Sequence, residues 1–136
     1  MRREDWLARL EALVRDRQHR EFAWGTFDCC TFAAEAVEAV TGTYPVPGLP
    51  GAYDTRMGAL RWLAERGFAN LEAALDAFAG ERLAWPLMAR RGDIVLVNDM
   101  TVGVVHPAGG VIACLSADAP GLALVSPRLA TAAWGS

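Results

Sequence analysis

The chain contains no lysine: all thirteen of its basic residues are arginine. Lysine-based catalysis is therefore excluded. Histidine is almost as scarce, with only His19 and His106. No Cys-x-x-Cys pair exists either, so no metal-ligand spacing is present and no cofactor is implied. Three cysteines, Cys29, Cys30 and Cys114, are an odd number with two adjacent. That is a poor disulfide framework and fits a reducing compartment. A surplus of positive charge is also missing. The net charge is -3 and the pI about 5.3, which argues against nucleic-acid binding. The first seventeen residues are charged throughout, so no signal peptide is expected. Residues 100–117 carry no formal charge, but Gly103, Pro107, Gly109 and Gly110 interrupt them. They read as strands and turns, and no membrane span is expected.

What is present fits one compact unit. A chain of 136 residues, 53% hydrophobic and 21% charged, makes one core, and the whole of 1–136 is read as a single domain. Charge is unevenly spread: 27 of the 29 charged residues lie at or before Asp99. Solvated amphipathic helices are expected first, then a largely buried sheet or a docking surface. Trp6, Leu10, Leu13 and Val14 form the apolar stripe of a first helix. Phe32, Ala33, Ala36, Val37 and Val40 share one face of a second, with Asp28 as N-cap and Gly42 as stop. Residues 44–51 are a Pro/Gly loop. A third helix is expected to be capped by Asp54, to bury Met57, Leu60, Leu63 and Ala64, and to close at Gly67. A fourth, capped by Asn70, uses Leu71, Ala74, Leu75 and Phe78. Strands are expected at 93–97, 101–105, 111–115 and 122–126, with a short fifth at 132–134. Helices followed by antiparallel strands define an α+β domain.

The segment that carries chemistry is Trp24-Gly25-Thr26-Phe27-Asp28-Cys29, which opens the second helix. A cysteine in the first turn meets unpaired N–H groups and the positive end of the helix dipole. Both favour the thiolate, which is the nucleophilic form. Cys30, one residue further on, is expected to pack inward as a small hydrophobe. An inert buried cysteine has the same local signature.

W-G-x-x-D-C at a helix start, a following Phe32, Gly42, and then Gly92-Asp93-Ile94-Val95-Leu96-Val97 with a glycine-containing strand resemble the NlpC-type cell-wall cysteine peptidases. The likeness runs from about Phe22 to Trp134 and is strongest to small relatives associated with phage and prophage tails. It implies a papain-like fold, with N-terminal helices packed on a C-terminal antiparallel sheet. It also implies Cys29 as nucleophile, with Asp28 and Trp24 supporting the site. The family places its histidine base where this chain has Thr101, in Thr101-Val102-Gly103-Val104. Threonine cannot accept a thiol proton at neutral pH. The family's base-orienting residue falls near Ala113 and Cys114, where no suitable side chain stands. His106 is the remaining base candidate, although five strand residues from Thr101 span roughly 17 Å. His19 reads as a solvated loop residue.

Asp28, Asp93 and Asp99 can be grouped as paired carboxylates, but a helix cap, a strand start and a hairpin turn explain them better. The five tryptophans form no stacking stripe. Trp24 is expected under the cysteine helix, and Trp6, Trp62 and Trp85 as core or interface anchors. The expected function is a structural part of a phage-type tail tip or baseplate with a degenerate catalytic site. Its partners would be other tail proteins, and it would reach the virion after assembly in the bacterial cytoplasm. The alternative is an active peptidase or amidase cleaving peptidoglycan stem peptides. A thiol redox protein is disfavoured, because adjacent cysteines lack the Cys-x-x-Cys spacing.

Overall fold

A computed structural model describes residues 1–118 and 120–136. Among them, helices come first: α1 (Trp6–Arg17), α2 (Cys29–Thr41), α3 (Arg56–Glu65) and α4 (Leu71–Phe78). Strands β1 (Glu81–Arg82), β2 (Ile94–Val97), β3 (Thr101–Val105), β4 (Ile112–Cys114), β5 (Ala123–Val125) and β6 (Ala130–Gly135) follow. They form one antiparallel sheet in the order β1-β6-β2-β3-β4-β5. The α+β class is as expected. No helix among the described residues is long and apolar enough to cross a membrane.

The helix ends follow their local chemistry. Asp28 caps α2 and Gly42 stops it in the left-handed conformation. Asn70 Oδ1 accepts from the Ala73 N–H at the start of α4. At α3 the expectation needs correcting. The cap is Thr55, whose hydroxyl accepts from the Gly58 N–H at 3.0 Å, and not Asp54. The buried face is also rotated: Trp62 is buried and Leu63 packs beside it, whereas Met57, Leu60 and Ala64 are exposed. One large indole outweighs several smaller apolar groups in choosing the face.

The sheet is more central than its sequence position suggests. The expected short fifth strand is β6, six residues long and paired on both sides, with β1 and β2. The two-residue edge strand β1 carries no period and was not expected. Alternation sends Ile94, Leu96, Val102, Val104, Ala132 and Trp134 to the helical side, where they meet Leu10, Val14, Phe32 and Val40. Truncating the fully buried Phe32 to Ala is expected to cost about 3–5 kcal/mol. Val95, Val97, Val105, Ile112 and Ala133 face the other way, under Leu83, Ala89, Val125 and Ala130. Trp85, in the link to β2, is 70% exposed and lies outside the core, whereas Trp134 is wholly enclosed. The β2–β3 hairpin turns at Asn98 and Asp99, both with positive φ, as a tight hairpin turn requires.

Candidate active site

The approach to α2 is a closed turn. Ala23 N–H donates to Phe27 O at 3.0 Å, and Phe27 N–H donates back to Ala23 O at 2.8 Å. Gly25 sits in this turn at φ +83°, and a Cβ there would lie 1.8 Å from the Tyr53 carbonyl oxygen. Only glycine fits both the conformation and the close approach. Trp24 is half-buried and packs edge-on against Phe22, with ring centroids 4.9 Å apart. Its ring therefore braces the turn.

Asp28 is buried and wholly occupied. Oδ1 accepts from the Thr31 N–H at 2.8 Å. Oδ2 accepts from the Gly25 N–H at 2.9 Å and the Tyr53 hydroxyl at 2.8 Å. The Thr31 hydroxyl in turn accepts from the Asp28 N–H, which completes a capping box with threonine in the reciprocal position. This carboxylate organises the site from behind and is not free to move protons. Burial and the Asp28 charge push the Tyr53 hydroxyl pKa far up, so Tyr53 stays a neutral donor. Tyr53 carries no motif in the sequence and was not anticipated here.

Cys29 is the first residue of α2, half-buried, and α2 packs on β3. Hydrogen bonding from the Cys30 thiol is the chief influence that lowers its pKa. The Val102 and Cys30 backbone N–H groups act the same way, while burial and the Asp28 charge oppose them. Cys30 is pushed the other way, strongly up, by its bond to Cys29 and by burial. Of the two thiols, Cys29 is therefore the one that ionises first. Cys30 packs into the core, as expected, and lines an apolar cavity of about 70 Å³ with Ala34, Tyr53, Trp62 and Phe78. Cys114 is buried on β4, and burial, followed by the Cys29 charge, raises its pKa.

The sulfur of Cys29 therefore lies against the start of β3, at the Val102 N–H, while Thr101, one residue earlier, falls on the other face of the sheet by alternation. His106 is not brought to it. β3 is unbroken in its register with β2, and His106 lies four residues beyond Val102, roughly 13 Å along the strand. Its Nδ1 accepts from the Ala108 N–H at 3.0 Å, and its backbone N–H donates to Val111 O at 2.9 Å, so it closes its own turn. His19 is exposed in the link after α1. Asp93 and Asp99 are elsewhere: Asp93 is buried at the start of β2 and Asp99 is in the hairpin turn. Among the described residues no three His, Cys, Asp or Glu side chains converge as metal ligands would. The arrangement can generate and partly stabilise a thiolate. It presents no imidazole at Cys29 to shuttle a proton to a leaving group.

Fold and site together define an α+β domain that holds a helix-N-terminal thiol against the first residues of a sheet strand. The model of a domain of unknown function, DUF6950, matches residues 1–136, and the chain belongs to that family. No curated protein and no solved structure matches it.

Proposed function

We propose that this chain is a structural component of a phage-type tail tip or baseplate, built on an NlpC-like, papain-like fold whose hydrolytic site has lost its base. One observation carries the reading: Cys29 lies against the Val102 N–H at the start of β3, and neither histidine stands there, since His106 closes its own turn beyond the far end of β3 and His19 is exposed after α1. A papain-type hydrolase needs an imidazole beside the sulfur, both to take the thiol proton and to protonate the departing amine. Trp85, Leu87 and Met88, each more than half exposed, sit together on the link before β2 and offer an apolar contact for neighbouring tail subunits. Assembly in the bacterial cytoplasm followed by incorporation into the virion accords with free thiols.

Two measurements test this reading. Purified muropeptides incubated with the wild-type chain are expected to stay intact. Quantitative mass spectrometry of purified tail particles is expected to find the chain at fixed stoichiometry. Cleavage by wild type that is lost in Cys29→Ala, or absence from the particles, overturns it.

The lowered Cys29 pKa favours a second reading, an active peptidase or amidase on peptidoglycan stem peptides. There Cys29 would attack the amide carbonyl, and helix N-terminal N–H groups would hold the oxyanion.

A further inference from the structure

At the opposite end of α2 and β3 from Cys29, an open pocket of about 430 Å³ is lined by Arg2, Trp6, Arg90, Arg91, Gly109 and Gly110, among others. That volume is in the range of small-ligand sites. Three guanidiniums meet here on a chain whose net charge is -3. Among the described residues, the one carboxylate within 4.0 Å of any of them is Asp93, which is buried and already held by Arg2. Arg90 reaches Asp93 only at 3.9 Å, with its side chain 70% exposed. Among the described residues the Arg91 guanidinium meets no carboxylate, and its one polar contact is a 3.5 Å approach to Pro107 O.

The guanidiniums are pre-placed. Arg2 stacks on the Trp6 ring at 4.3 Å, and Arg91 lies 5.9 Å from the same ring. Stacking occupies the face of a guanidinium and leaves its edge for hydrogen bonds; the Arg2 Nη groups spend theirs on Asp93 Oδ1 and Arg91 O, so the edges open to an oxyanion are those of Arg90 and Arg91. The Arg2 Nε is buried without a hydrogen-bond partner. Gly109 and Gly110 both have positive φ, and a Cβ on Gly110 would meet nothing within 4 Å, so the opposite wall is bare backbone beside open space.

From these observations we infer that this pocket is a binding site for a phosphate group, either free or as the ester of a small molecule, with Arg90 and Arg91 as its principal ligands. Planar guanidinium pairs match tetrahedral oxyanions in a way that a single cation does not. The inference goes beyond the tail-component reading and uses none of the Cys29 residues.

The test is calorimetric titration at fixed ionic strength with inorganic phosphate, with glycerol phosphate, and with glycerol as the neutral control. Wild type is expected to bind the phosphate probes saturably and to ignore glycerol. The double variant Arg90→Ala, Arg91→Ala is expected to bind about tenfold more weakly at an unchanged melting temperature, because neither side chain holds the fold together. Arg91→Lys keeps the charge but loses the fork, and is expected to lie between the two. Tighter binding of glycerol phosphate than of phosphate assigns the site to phosphate esters, and the reverse assigns it to the free anion; either supports the inference. No saturable binding by wild type, or equal binding by wild type and the double variant, overturns it.

Discussion

Two aspartates are buried to the same degree, and they are held in opposite ways. Asp28 is 1% exposed and is satisfied by neutral donors alone: two backbone N–H groups and the Tyr53 hydroxyl. Asp93, also 1% exposed, takes the Arg2 guanidinium and the Arg90 N–H. The charge of Asp93 is cancelled where it stands. The charge of Asp28 is not, and it acts on its surroundings by raising the pKa values of Cys29, Cys30, Tyr44 and Tyr53. The thiol site thus works against the field of its own cap. The Cys30 thiol and nearby N–H groups must overcome that field for Cys29 to ionise early. The thiol end keeps an uncompensated carboxylate beside its sulfur, whereas the Asp93 end pairs its carboxylate and has cations to spare.

The largest expected effect lies at the paired end. Arg2→Ala leaves Asp93 buried without its cation, and urea denaturation is expected to show a loss of about 3–5 kcal/mol. Asp28→Ala removes a helix cap and orphans the Tyr53 hydroxyl and the Gly25 N–H. We expect a loss of about 2–4 kcal/mol, less than at Arg2, because no buried charge is left behind. Equal or reversed losses would break the comparison.

Smaller effects sharpen it. Cys30→Ala removes the chief donor to Cys29, so the midpoint of Cys29 alkylation should move to higher pH. Asp28→Asn removes the opposing charge and should move it lower. Alkaline unfolding supplies the smallest and broadest signal. Burial raises the Tyr44 pKa to about 12, and Tyr53 is raised as well. A raised folded pKa favours the neutral form, so this stability is complete below the unfolded tyrosine value of about 10. It is lost as pH rises from there through about 12. Tyr53→Phe should flatten that decline, and a melting temperature independent of pH in this range would contradict it.

The elements were legible where period and punctuation agreed. The stripe of α1, the Asp28 and Gly42 ends of α2, the Asn70 cap and the β-branched runs of β2 and β3 are all local features. The rest depends on distant partners. Nothing local puts β6 between β1 and β2, because strand order is decided by which apolar faces meet. The face of α3 was misjudged because Trp62 outweighs Met57 and Leu60. At the site, Cys29 at a helix start was readable. The Tyr53 bond to Asp28 spans 25 residues and the Arg2 bond to Asp93 spans 91, so no spacing rule announces either.

The most direct test of a thiol activated without an imidazole is the pH profile of Cys29 alkylation by iodoacetamide, read by mass spectrometry in wild type and His106→Ala. The account predicts a single transition below the free-thiol value of about 8.5, identical in the two proteins. A fast thiolate plateau persisting down to about pH 4, as in thiolate–imidazolium pairs, and lost in His106→Ala, would contradict it and restore the peptidase.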